Sequence, residues 1–207
     1  MKALRSPRSI SDHIATLNPR FEAVISKYGP SPIGRTPPRS TNFEALATSI
    51  LSQQLSTKAA DTIIKRVRLE AGGRLTPSRI AQLSERQLRD VGCSGAKTRA
   101  ITELAEVSLS KKVPITSLHR LDDDEIYSHL LPLFGIGRWT VEMFLIFQLG
   151  RPDIWPVGDL GVRRGWERIH RLKEEIEPEV LAKKGEKFRP YRSHVAWYCW
   201  RVLENKN

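Results

Sequence analysis

The sequence predicts an all-α chain, and three observations carry that prediction. Apolar residues recur at helical spacing along most of its length, strand-like alternation is scarce, and the breaks between apolar runs fall at Ser, Thr, Asp, Pro and Gly. A chain of 207 residues has room for one large or two small domains and a core of ordinary size. No internal repeat or long low-complexity segment interrupts the pattern.

Taken in order, an N-terminal helix gives way at Gly29-Pro30 to a loop containing Ser31, Pro32, Pro37 and Pro38. Phe43, Leu46, Ala47, Ile50 and Leu51 lie on one helical face, and Ala59, Ala60, Ile63, Ile64 and Val67 resume it beyond Gln53 and Gln54. That is two helices, or one helix with a polar interruption. Thr76-Pro77 and Ser84-Glu85 read as successive helix starts, one with Pro in its first turn and one with a capping serine. Ala96 to Leu109 carries Ile101, Leu104, Ala105 and Leu109 on one side. Asp122, Asp123 and Asp124 place acids where a helix N-terminus favours them, ahead of Ile126, Leu130 and Leu131. From Trp139 to Leu149 the helix is apolar nearly all round, which predicts a central position. Gly150 supplies its stop, and Pro152 cannot continue it.

Charge narrows the choice of partner. Thirty-four Lys and Arg against 23 Asp and Glu leave a net +11, with an isoelectric point near 10.0. Such an excess suits a polyanion, although solubility alone is also served by it. No apolar run approaches the roughly 20 residues of a membrane span, and Met1 to Pro7 lacks the apolar core of a secretory signal. An intracellular protein with reduced thiols is therefore expected. Its two cysteines, Cys93 and Cys199, are too few for an iron-sulfur cluster, which takes four thiolates. His119, His129, His170 and His194 lack the spacing of a zinc site.

Two motifs remain. Gly135-Ile136-Gly137-Arg138-Trp139-Thr140 reads as a hairpin in which both glycines take positive φ and Ile136 anchors the turn in the core. The helix after it begins with unpaired N–H groups, a site for a phosphate; the same turn also serves as a plain helix connection. Further on, Pro156-Val157-Gly158-Asp159-Leu160-Gly161 sets Asp159 at the mouth of another helix, as N-cap or as a reactive carboxylate.

With Ser49-Ile50-Leu51-Ser52-Gln53-Gln54-Leu55-Ser56 before them and Arg189-Pro190-Tyr191-Arg192-Ser193 leading to Trp200 after them, these motifs resemble the helix-hairpin-helix (HhH-GPD) superfamily of DNA glycosylases. Within it the chain is most similar to the 3-methyladenine DNA glycosylase II group, from about Phe43 to Trp200. The resemblance implies two helical lobes, residues 43–150 and residues 1–42 with 151–207, with a DNA-binding cleft between them. It implies no room for the N-terminal β domain that some relatives carry.

For chemistry, the resemblance implies monofunctional hydrolysis of the N-glycosidic bond of alkylated purines in double-stranded DNA. Asp159 is the implied catalytic carboxylate, while Trp139, Met143 and Trp200 form the base pocket, Met143 standing where some relatives use an aromatic. On the DNA side come Gln53, Gln54, Leu55, Lys97, Gly135, Gly137, Arg138 and Arg163, with Arg164 beside it. Gln54, then Leu55, is the implied wedge filling the space left by an extruded base; a solvated turn and an exposed basic helix face are the alternatives for the Gln pair and the Arg pair. Bifunctional relatives place a lysine where this chain has Trp139, so no Schiff base is implied. No cofactor is implied beyond a Na+ or K+ on the carbonyls near Gly135 and Gly137. A monomer is expected, in the cytoplasm or nucleoid of a bacterium or the nucleus of a eukaryote. Deaminated bases such as hypoxanthine are the alternative substrate, and a non-catalytic DNA-binding protein the alternative class.

Overall fold

Helix caps set most of the element boundaries. The computed structural model describes residues 6–35 and 37–204; most of the stretch read as lacking a secretory signal lies outside them. In chain order the helices are α1 (Pro7–Leu17), α2 (Glu22–Tyr28), α3 (Asn42–Ser52), α4 (Thr57–Glu70), α5 (Pro77–Ala81), α6 (Glu85–Asp90), α7 (Gly95–Leu109), α8 (Asp123–Leu130), α9 (Arg138–Met143), α10 (Leu160–His170), α11 (Pro178–Gly185) and α12 (Arg192–Leu203). Among the described residues there is no strand, as the all-α reading requires. Thr76, Ser84 and Asp122 cap α5, α6 and α8 from their side chains, the last two in reciprocal capping boxes with Gln87 and Glu125.

The chain divides into two units. In residues 38–144, α3 packs against α4, α7 and α9, and α5 lies on α7. The face read from the sequence is the face that is buried: Phe43, Leu46, Ala47, Ile50 and Leu51 all lose their solvent. Each of the larger side chains, Phe43, Leu46, Ile50 and Leu51, contributes about 1.5–3 kcal/mol of burial. Asn42 ties the start of α3 to the Ile115 carbonyl at 2.9 Å, and Arg68 pairs with Glu44 at 2.8 Å.

Residues 1–37 and 145–207 form the other unit, built on the pair α10 and α12. Gly165 sits against the backbone of Cys199, where a Cβ has no room, so the two helices meet at backbone distance. Phe21, Trp166 and Phe188 fill the interior edge to face. The buried Tyr198 hydroxyl is satisfied by Ser11 Oγ at 2.7 Å and the Gly29 carbonyl at 3.1 Å. One N-terminal helix was expected here, and there are two. Asn18 takes an extended conformation and Pro19 cannot donate, so α1 stops and a 3-10 turn, Pro19–Phe21, intervenes.

The run after Trp139 also departs from a uniform central helix. Phe144–Gln148 is π-helical, and an added residue in one turn rotates the side chains beyond it by about 100°. Val141, Phe144, Leu145 and Ile146 are buried, but Trp139 is 48% and Phe147 54% exposed.

Candidate active site

In residues 38–144, the loop between α3 and α4 and the hairpin before α9 line one cavity of about 710 Å3. Gln53, Gln54, Leu55, Gly135, Gly137 and Trp139 share it, so the structure brings together residues that lie more than 80 positions apart in the chain. Gln53 makes the join: its Nε2 donates to the Gly135 carbonyl at 2.9 Å and to Thr140 Oγ1 at 3.3 Å. Gln54 holds a left-handed φ of 56°, a conformation a non-glycine residue keeps only where its surroundings impose it. Leu55, next to it, is 38% exposed.

The two hairpin glycines differ. Gly135 has φ 78°, and a Cβ there would stand 2.8 Å from that of Ala100. Gly137 is extended, φ −94° and ψ 172°, with open space around it, so the expected positive φ holds at Gly135 alone. The reason is that Gly137 is the N-cap of α9, a position that takes extended backbone. Ile136 is buried beneath the turn, as expected of its anchor. The Gly135 oxygen shared with Gln53 keeps a second lone pair, which is what a Na+ or K+ would use.

Arg138 opens α9 with its guanidinium exposed, yet held on two sides. Its Nε lies 3.1 Å from Glu142 Oε1, and its plane sits 5.0 Å from the Tyr127 ring. Burial, reinforced by the Glu142 charge, pushes the Tyr127 phenol up to about 12. Lys97, implied as a phosphate contact, donates one N–H of its ammonium to the Leu51 carbonyl at 2.7 Å, closing the C-terminal turn of α3. Met143, at the end of α9, is half-buried.

Asp159 belongs to the other unit and is the N-cap of α10. Its Oδ1 accepts the Val162 N–H at 2.8 Å and the indole N–H of Trp200, from α12, also at 2.8 Å. Two donors and the positive end of an 11-residue helix thus stabilise negative charge on one oxygen. Of the two readings posed for Asp159, the N-cap is the one the geometry displays directly, and the same oxygen also holds the Trp200 indole. Burial, and then the Asp159 charge, pushes the neighbouring Cys199 thiol far above its ordinary range.

Three further residues complete this arrangement, and periodicity did not point to them. Phe147, turned outward by the π segment, lies with its ring 5.4 Å from that of Trp200. Gly161 leaves the space the pair needs, since a Cβ there would come within 2.8 Å of Trp200 Cδ1 and 3.0 Å of Asp159 Oδ1. A glycine inside the first turn of a helix is the signal that marks it. Asp153 anchors the approach to Asp159: Arg192 grips both its oxygens, at 2.7 and 3.0 Å, and Arg189 adds a third bond at 3.0 Å. Arg163 leans toward Glu175 at 3.8 Å, and Arg164 pairs with Glu167 and Glu175.

The chain is similar to known proteins in both sequence and structure. The family model described as HhH-GPD superfamily base excision DNA repair protein matches residues 47–190. DNA-3-methyladenine glycosylase 1 of Schizosaccharomyces pombe is 32% identical over 193 residues, 92% of this chain and 85% of that protein. Among solved structures, the Schizosaccharomyces pombe 3-methyladenine DNA glycosylase in complex with abasic DNA aligns with a TM-score of 0.85 at 31% identity, covering 96% of this chain and 98% of that one. A DNA-3-methyladenine glycosidase from Bacillus halodurans aligns with a TM-score of 0.83 at 32% identity, covering 95% and 89%.

Proposed function

We propose that this chain, which belongs to the HhH-GPD superfamily of base excision DNA repair proteins, hydrolyses the N-glycosidic bond of alkylated purines in double-stranded DNA. Substrates of the 3-methyladenine and 7-methylguanine type are the ones its chemistry suits. The observation that carries this reading is the Asp159 carboxylate, fixed at a helix mouth by Val162 and by the indole of an aromatic side chain. A carboxylate meant only to cap α10 has no need of Trp200.

The chemistry is dictated by the leaving group. An alkylated purine is cationic, so the C1′–N bond breaks with its electron pair passing to the base, and positive charge develops on the sugar. A carboxylate held beside that charge lowers the barrier by roughly 3 to 4 kcal/mol, the scale of one preorganised electrostatic contact. Water adds its oxygen to C1′ and loses a proton, which Asp159 is placed to orient or accept. An abasic site and a free base result.

Selection rests on ring faces. A cationic base against an indole or phenyl face gains about 0.5 to 2 kcal/mol, an advantage a neutral base lacks. Trp200 with Phe147 offers such faces beside Asp159, and the exposed Trp139 offers another on the hairpin unit. Extruding the base costs a few kcal/mol, and Gln54 with Leu55 fills the gap it leaves. Binding itself is electrostatic: Arg138 and the first turn of α9 meet phosphate, with Gly135 and Gly137 keeping the backbone bare. A Na+ or K+ on the hairpin carbonyls would add positive charge there, and no step of the cleavage runs through it. No amine stands where Trp139 does, so water is the nucleophile. The enzyme acts as a monomer on intracellular DNA.

The test is incubation with methylated duplex and identification of the released bases. Free 3-methyladenine or 7-methylguanine, with an intact abasic strand that breaks only in alkali and no borohydride-trapped adduct, is the predicted outcome. Release of hypoxanthine alone from a deaminated duplex would move the substrate class, and no release at all would leave a DNA-binding protein.

A further inference from the structure

At the opposite end of α10 from Asp159 the same unit holds a second cavity, of about 480 Å3. Eleven helical residues separate the two by roughly 16 Å. Its rim is cationic. Lys183 and Lys184 stand on the last turn of α11, Lys187 on the 3-10 turn after it, and Arg20 on the 3-10 turn between α1 and α2.

Among the described residues, none of these four cations has an acidic partner. Arg20 donates to the His170 carbonyl, and Lys187 Nζ to the Leu17 carbonyl at 3.1 Å. Carbonyl dipoles orient these two groups and leave their formal charge in place. Lys183 and Lys184 are exposed. Elsewhere in this unit several arginines are matched to acids, Arg164 with Glu167 and Glu175, Arg189 and Arg192 with Asp153 and Glu186. Four unmatched cations around one concavity therefore stand out as an anion site.

The floor is neutral, flat and locked. Asn18 Oδ1 accepts the Arg20 N–H at 3.2 Å, which turns its Nδ2 toward His170 Nε2 at 2.8 Å. Since Nδ2 can only donate, Nε2 accepts, and Nδ1–H donates to the Trp166 carbonyl at 2.9 Å. Both ring nitrogens are used, and the uncharged imidazole lies stacked on Trp166, centroids 4.0 Å apart and planes 17° from parallel. Leu172 adds an exposed apolar side chain to the lining.

We propose that this cavity binds a small phosphomonoester carrying a planar apolar group, of nucleotide size. The lysine and arginine arc takes the phosphate, and His170 with Leu172 takes the remainder. The volume falls in the range of small-molecule sites, and a bare phosphate would leave most of it unfilled. This site is separate from base excision and does not depend on it.

Calorimetric titration of the full chain with deoxyadenosine 5′-monophosphate tests the proposal, with inorganic phosphate and deoxyadenosine as the two halves. One nucleotide per chain should bind, more tightly than either half. The exposed pair change Lys183→Ser/Lys184→Ser should weaken binding about tenfold or more, whereas Asp159→Asn should leave it unchanged. Excision of alkylated bases by the double variant should stay at the parental rate. Absence of one-to-one binding overturns the proposal, as does equal binding by the double variant or equal loss in Asp159→Asn. Displacement of the nucleotide by undamaged duplex also overturns it, because the cations would then serve the DNA backbone.

Discussion

Trp200 donates its indole N–H to Asp159 Oδ1 across 2.8 Å, so an aromatic residue from α12 orients the carboxylate that caps α10. The same ring faces Phe147. One side chain thus couples the carboxylate proposed to react to the ring face proposed for a cationic base.

Replacing that donor while keeping a ring separates the two roles. Trp200→Phe should retain the fold and lower single-turnover excision by about tenfold or more, the scale of a hydrogen bond to a charged group. Unchanged excision with weakened substrate binding would show that only the ring face matters.

Gly161→Ala tests the space on which the pair relies. The added methyl would meet Trp200 Cδ1 at 2.8 Å and Asp159 Oδ1 at 3.0 Å, so one of them must shift. Excision should fall about tenfold or more while helix content is unchanged, since displacements well under 1 Å already misalign reacting groups. Full activity would mean that the Trp200–Asp159 bond does not position the carboxylate.

The two hairpin glycines should respond differently to the same change. Gly135→Ala forces a positive φ on an L-residue and crowds Ala100, which should cost about 1–2 kcal/mol in urea unfolding. Gly137→Ala should leave stability within about 0.5 kcal/mol, and any loss of DNA affinity it causes should be alike for all sequences. Equal destabilisation by both would contradict the assigned backbone.

Acid should weaken the unit that holds Asp159. Burial pushes the His194 imidazole down to about 4 from 6.5, so between these values the unfolded chain binds the proton and the folded one does not. Stability is then greatest above the unfolded value and falls as pH drops, by about 2 kcal/mol between pH 7 and pH 5. His170, whose pKa burial also lowers, adds in the same direction. Urea midpoints of the parent and of His194→Gln measured across this interval should diverge, the variant showing the shallower slope.

Helix faces and caps were legible residue by residue. Leu46, Ile50 and Leu51 declare the buried side of α3, and Ser84, Asp122 and Asp159 declare three helix starts, because both signals are local. Contact across the chain lay beyond sequence reading. Trp200 and Asp159 are 41 positions apart, and Lys97 reaches a carbonyl 46 positions away. The apolar run through Phe147 has no polar face to set its phase, so nothing local announced the π turn that brings Phe147 to Trp200. Gly137 misled for a related reason: a glycine serves an extended N-cap as readily as a left-handed turn.

Single-turnover excision by Asp159→Asn on duplex DNA carrying 7-methylguanine bears on the catalytic assignment itself. The amide keeps an oxygen for Val162 and Trp200 and removes the negative charge, so helix content and DNA affinity should hold. Base release should fall by roughly 10²-fold or more. Release at a near-parental rate, with the variant folded and bound to the duplex, would contradict the role given to this carboxylate.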